Sequence, residues 1–170
     1  MTCSKCKLNE LKNVEYAGLK YCKKHFIELI TKRIRKDLRI REEINPNKKY
    51  RILKESTPEF ILTKYFLERI FEKHLIIEET TELKTKNMIV ATNLDVEAKN
   101  FLESYFTNNK YVEKHIRPLR TVTKEEIEKL CEVLNIKGQP KNGLIFLDNI
   151  DNKYPGSKFS VLRSIDHLKK

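Results

Sequence analysis

Nothing in these 170 residues approaches the roughly 18 consecutive apolar residues that a helix needs to cross a bilayer. The N-terminus lacks the apolar core of a secretory signal and the arginine-rich character of a transit peptide, so a cytoplasmic address is expected. Tryptophan is absent, glutamine occurs once and glycine four times, and neither a repeat nor a low-complexity segment is visible. Cysteine is scarce as well. Four residues in a lysine-rich chain without a signal peptide argue against a disulfide framework. Abundant Lys, Glu and Ile beside the single Gln resemble a heat-adapted composition.

What is present begins with metal-type ligands. Cys3-x-x-Cys6 is followed, after fifteen residues, by Cys22-x-x-His25. A Cys-x-x-Cys pair on a tight turn offers two thiolates to one ion, and the second pair completes the tetrahedral shell that structural zinc prefers. The expectation is a closed Zn2+ site at Cys3, Cys6, Cys22 and His25. The charge of +11 is uneven: residues 1–55 carry 16 Lys and Arg against 7 Asp and Glu, a net of +9. A basic N-terminal third reads as a footprint for a polyanion, nucleic acid above all. A solvated lysine-rich surface is the plainer alternative.

Periodicity divides the chain into a zinc-finger module (1–26), a basic linker helix (27–46) and an α/β domain (47–170). Leu11, Val14, Tyr16, Leu19 and Tyr21 suit a short hairpin turning at Gly18. Ile27, Ile30, Ile34 and Leu38 recur at helical spacing, with Lys32, Arg33, Arg35, Lys36, Arg39 and Arg41 on the other faces. Asn45-Pro46-Asn47 breaks that helix. Tyr50–Leu53 reads as a strand, and Ser56-Thr57-Pro58-Glu59 has the form of a capping box opening a helix to about Lys73. Leu75–Ile77 and Met88–Ala91 read as short buried strands of a parallel sheet. Helices are expected over Asp95–Thr107 and, capped by Thr123 and Glu126, through Leu134. Leu144–Leu147 fits strand or helix, and a basic helix follows Tyr154-Pro155-Gly156. The fold class is α/β.

With these elements placed, the chain resembles the cytosolic tRNA 2-thiouridine synthetases of archaea and eukaryotes, a branch of the PP-loop ATPases. The zinc module followed by a basic helix matches that family's N-terminus. Ala91-Thr92-Asn93-Leu94-Asp95-Val96-Glu97-Ala98 is similar to its Gly-His-Asn-Leu-Asp-Asp-Glu-Ala segment. His115-Ile116-Arg117-Pro118-Leu119-Arg120 is similar to Ile-Lys-Pro-Leu-Arg, and Tyr154-Pro155-Gly156-Ser157-Lys158-Phe159 to Tyr-Pro-Gly-Thr-Lys-Phe. The resemblance implies a reduced PP-loop-like (adenine nucleotide alpha hydrolase-like) parallel sheet flanked by helices. It further implies tRNA as partner and an ATP-dependent adenylation of a uridine.

The departures bear on function. At the family's Ser-Gly-Gly-Lys-Asp-Ser loop this chain has Lys54-Glu55-Ser56-Thr57-Pro58-Glu59. There is no glycine there, Pro58 lacks an amide donor, and Glu55 and Glu59 repel phosphate. Asp95 is kept but its acidic neighbour is Val96, which weakens a magnesium role and leaves Asp95 to cap its own helix. Cys131 stands alone in the α/β domain, on the apolar side of its helix with Ile127 and Leu134, as an inert core cysteine. One thiol does not hold a conventional cluster. His74, His115 and His167 join no Ser/His/Asp or Cys/His arrangement. The chain ends at Lys170, short of the family's second zinc ribbon.

These features point to a degenerate member of the thiolation family: zinc-holding, tRNA-binding, without ATP or catalytic residues. Lys32, Arg33, Arg35, Lys36, Arg39 and Arg41 would meet RNA phosphates, with Arg117, Arg120, Lys158 and Arg163 as a second set. A full-length thiolation enzyme is a natural partner. Two rivals stand beside this expectation: an active sulfurtransferase subunit completed by another chain, and a structural protein-interaction module.

Overall fold

A computed structural model describes residues 2–6, 14–16, 18–82, 88–109, 111 and 115–168, with Lys73 and residues 14–16 described by their backbone alone. Leu11 and Met1, which the sequence assigns to the N-terminal module, lie outside them. Two short strands, β1 (Val14–Tyr16) and β2 (Leu19–Tyr21), pair antiparallel around Gly18, whose φ of 71° falls in the left-handed region that glycine tolerates. Helix α1 (Lys23–Ile40) follows at once. Its buried stripe includes Ile27, Ile30, Ile34 and Leu38, as helical spacing predicts, and adds Phe26. Burying each such side chain contributes about 1.5–3 kcal/mol.

Strand β3 (Lys49–Leu53) forms the centre of a three-stranded sheet, between β4 (Ile76–Thr80) and β5 (Met88–Ile89) in the order β4-β3-β5, with both pairings parallel. A bridge from Ile89 to Ile116 extends the sheet beyond β5. Helix α2 (Pro58–Phe71) connects β3 to β4, and α3 (Leu94–Phe106) leaves the sheet after β5. Three further helices complete the body: α4 (Lys124–Leu134), α5 (Ile145–Lys153) and α6 (Ser157–His167). The fold is therefore α/β, a parallel sheet flanked by helices. No helix among the described residues is long and apolar enough to cross a membrane.

One apolar core runs from Tyr21, Phe26 and Ile30 through Ile52, Leu62 and Phe66 to Leu130. A second, smaller one joins Leu94 of α3 to Leu162 and Ile165 of α6. Several local expectations change. β4 is an edge strand rather than a buried one, with Ile76 52% exposed. α2 stops at Phe71, because Glu72 takes a positive φ of 53° before a 3-10 turn to His74. α1 ends at Ile40, five residues before Asn45-Pro46, with Glu42 also left-handed. The ambiguous Leu144–Leu147 segment is the start of α5. The box at Thr123 and Glu126 is formed as expected: Thr123 Oγ1 accepts the Glu126 amide at 3.2 Å, and Glu126 accepts the Thr123 amide at 2.9 Å.

Candidate metal centre and the crevice beside the sheet

The turn carrying Cys3 and Cys6 is stitched to β2. The Ser4 amide donates to the Lys20 carbonyl at 2.8 Å, and the Lys20 amide donates to Ser4 Oγ at 3.2 Å. Cys22 precedes α1 in an extended conformation, and its carbonyl accepts the Phe26 amide at 3.0 Å. That geometry sets Cys22 Sγ 3.2 Å from His25 Nδ1, in the first turn of α1. Cys3 Sγ is 3.5 Å from the same nitrogen, and Cys6 Sγ is 3.8 Å from Cys22 Sγ. All four ligand atoms lie within 4.8 Å of one another.

A tetrahedral zinc, with bonds of about 2.3 Å to sulfur and about 2.0 Å to nitrogen, spaces its ligand atoms about 3.8 and 3.5 Å apart. The group matches a single ion. A four-iron cluster bonds each ligand to a different metal atom and spreads them wider. Burial opposes ionisation of the Cys3 thiol, yet the backbone amides of Cys22, Lys5 and Cys6 outweigh it and bring the thiol to about 6. Burial and the neighbouring thiols push Cys22 up. One ready thiolate beside the less ionisable Cys22 is an arrangement that a cation completes.

The second site is the crevice at the carboxyl ends of β3 and β5, where open α/β sheets receive ligands. Here the chain's own loop 138–143 occupies it. Lys141 Nζ donates to Glu55 Oε2 at 2.5 Å and to the Ala91 carbonyl at 2.7 Å. The Lys141 amide donates to Glu59 Oε1 at 2.7 Å, and Asn93 Nδ2 donates to that same carboxylate oxygen and to the Lys141 carbonyl. Glycines let the loop approach this closely. A Cβ at Gly143 would stand 2.8 Å from Asp95 Cβ, and one at Gly138 3.0 Å from Pro58 Cγ.

Two sequence assignments are corrected here. Glu59 is fully buried and serves Asn93 and Lys141; Thr57 precedes α2 with no side-chain cap bond, so the box form at Ser56–Glu59 is not realised. Asp95 does not cap α3. Asn93 does, accepting the Val96 amide at 3.0 Å, while Asp95 accepts Lys158 Nζ at 2.5 Å and the Lys124 amide at 2.7 Å. Asp148 holds Lys158 Nζ from the other side at 2.6 Å. Burial works against the charge on Lys158, but Asp148 and Asp95 outweigh it and raise the ammonium above its ordinary value.

The cations singled out in the sequence divide into two groups. Lys32, Arg35, Lys36 and Arg39 are exposed on α1, with no ion pair among the described residues, and Arg163 is exposed on α6. The others are engaged inside the fold. Arg33 grips Glu126 at 2.6 Å and 2.8 Å, and Arg41 pairs with Glu43. Arg117 is 8% exposed and bound to Glu97; Arg120 is fully buried against Asp166 at 2.6 Å. Lys158 is spent as described. Cys131 is 8% exposed, its thiol raised by burial and by Glu59, Glu128 and Glu132, which suits an unreactive core residue. His115 is half-buried, and His74 and His167 are exposed. Sequence reasoning missed Lys141 altogether. Its only signal was the pair of glycines around it, Gly138 and Gly143.

No protein-family model matches the chain, and no curated protein matches it. Among solved structures it is similar to the U34-tRNA thiolase NcsA from Methanococcus maripaludis, solved with its 4Fe-4S cluster. The TM-score is 0.72 and the identity 19%, over 99% of this chain and 87% of that one. The fold of the chain is thus that of a tRNA thiolase of the kind its motifs resemble.

Proposed function

We propose that this protein is an RNA-binding relative of the tRNA thiolases that holds a structural zinc and has given up nucleotide chemistry. Residues 1–26 form its metal module, 27–46 the helix that faces RNA, and 47–170 the α/β body. The observation that carries the proposal is the occupied crevice. Lys141 and its loop fill the space where a nucleotide would enter, beside Glu55, Glu59 and a proline that offers no amide. Asp95, the one retained acid of the family's pair, already has an ammonium on one oxygen and an amide on the other.

Zinc supplies a crosslink here, not a reaction centre. Cys3, Cys6, Cys22 and His25 would tie the N-terminal turn and hairpin to the first turn of α1. The cations of that helix, Lys32, Arg35, Lys36 and Arg39, are then presented on a fixed rod. Arg163 extends the basic surface onto α6. The cytoplasm is the compartment that suits a tRNA ligand.

Calorimetry of the zinc-loaded protein tests the proposal. No heat is expected on titrating ATP with magnesium, whereas tRNA binds with an affinity that falls steeply with salt. Tight ATP binding overturns the non-catalytic assignment, and salt-independent RNA binding overturns the role of α1. The cluster held by the solved thiolase favours a second reading, an active subunit completed by a partner chain. Sulfur incorporation into tRNA by the purified chain, given ATP and sulfide, would count in its favour.

A further inference from the structure

At the far end of α3 the molecule displays aromatic rings that the small second core does not cover. Tyr105 and Phe106 are 69% and 71% exposed. Tyr105 also lines a cavity of about 230 Å³, together with Phe101, Ser104, Asn109, Tyr111, Ile165 and Leu168. The rings are ordered with respect to one another. Phe101 and Tyr105 are stacked, 6.4 Å apart at 29°, and Phe101 meets Tyr111 edge-on at 5.6 Å and 88°.

One wall is fixed by a buried polar network that neither the metal centre nor the crevice requires. Tyr111 Oη donates to Glu97 Oε2 at 2.8 Å and accepts Arg117 Nη1 at 2.8 Å. Glu97, 1% exposed, also accepts Thr92 Oγ1 at 2.5 Å and pairs with Arg117. Burial and Glu97 push the Tyr111 phenol up, so the ring stays a neutral donor locked in place. The rim is polar: Asn109 gives its side-chain nitrogen to Thr107 and keeps its carbonyl oxygen as an acceptor. A cavity below the roughly 300–1,000 Å³ of drug-sized sites, with parallel and perpendicular rings and one amide, suits a single planar heterocycle.

Charge favours a nucleic-acid source for that heterocycle. Of the net +11, residues 1–55 carry +9, α1 among them, so the polyanion surface is that helix and the cavity must be reached from it. Helix α6 links the cavity to the basic helix: Phe159 lies under the Arg33 guanidinium at 5.5 Å, Arg163 is exposed one turn on, and Ile165 and Leu168 reach the cavity. Phe159 and Leu168 are about 13 Å apart along the helix. We propose that the Phe101/Tyr105/Tyr111 cavity takes one unstacked base of a single-stranded RNA whose phosphates lie along α6 and α1. This rests on the RNA-binding proposal above and adds to it a base-stacking site whose lining shares no residue with the crevice.

The test uses a short single-stranded RNA carrying 2-aminopurine, whose fluorescence is quenched on stacking and is not obscured in a chain without tryptophan. The metal-loaded wild-type protein should quench it. Tyr105→Ala, at an exposed position, should weaken probe binding by about 10-fold or more, and Asn109→Ala by less. Tyr105→Leu keeps apolar area but no ring and should behave like Tyr105→Ala. An unquenched probe overturns the proposal, as does a Tyr105→Leu variant equal to wild type, or self-association through this face in sedimentation that Tyr105→Ala abolishes. Two arms separate it from the reading beneath it. RNA that binds with a steep salt slope but leaves the probe bright removes the base site alone. Quenching of the uncharged 2-aminopurine riboside without RNA binding keeps the base site and removes the RNA reading.

Discussion

Helix α1 and the crevice-facing half of the molecule are both rich in Lys and Arg, yet they use these residues in opposite ways. On α1 Lys32, Arg35, Lys36 and Arg39 stand in water, while the apolar stripe and Arg33 are committed to the fold. Around α3 and α6, Arg117, Arg120 and Lys158 are buried, each against a carboxylate from a distant part of the chain. The lesson is that a basic residue does not announce its job. An exposed ammonium costs little and remains available to phosphate, while a buried one must be paired and is then unavailable to any ligand.

The largest way to break this contrast is at the base of α1. Cys22→Ser should unfold the N-terminal module and release its metal, since binding of a structural zinc ion is itself folding free energy, on the order of 10 kcal/mol in zinc-finger peptides. Metal content by mass spectrometry and loss of hairpin and α1 signals by NMR would report it. A folded variant with a full complement of metal would count against the site.

Next comes the crevice. Lys158→Met leaves Asp95 and Asp148 facing each other without the ammonium, and should cost about 3–5 kcal/mol in urea unfolding. The same pair has a pH signature. The folded-state ammonium is raised above its ordinary 10.5, so its contribution is complete below that value and fades as pH climbs through the folded one. Wild type should lose stability at that alkaline limb more steeply than Lys158→Met. Equal slopes would show that the pair adds nothing.

Thr123→Ala removes half of a formed capping box and should cost about 1 kcal/mol of stability. At the other extreme, neutralising Lys32, Arg35, Lys36 or Arg39 should leave thermal stability nearly unchanged, within about 0.5 kcal/mol. Each change should instead lower the slope of log affinity for tRNA against log salt by about 1. Arg120→Met ought to do the reverse, destabilising the fold without a specific effect on that slope. If it lowers the slope while folding stays intact, the division between the two regions is wrong.

Much of the molecule was legible because its determinants are local. Two ligand pairs at fixed spacing, an apolar stripe over Phe26–Leu38 and the Thr123–Glu126 box each involve residues within a few turns of one another. The motif around Asn93 and the Tyr-Pro-Gly segment pointed to the right fold. Where local rules failed, a long-range partner had intervened. Glu59 has the placement of a capping acid, but Asn93 and Lys141, 34 and 82 residues away in sequence, claim it. Asp95 has the placement of a helix cap, but Lys158 claims it across 63 residues. Ile76 and Ile77 have the composition of a buried strand, yet the sheet ends there.

Sequence alone determined that four soft ligands share one end of the chain, that a basic amphipathic helix follows them, and that short strands alternate with helices in the body. These are matters of spacing, set by backbone geometry and side-chain chemistry over a few residues. Tertiary structure alone decided that Lys141 fills the crevice, and which cations keep their water. Desolvation depends on what packs around a charge, and its long-range neighbours here come from segments 20 to 93 residues apart.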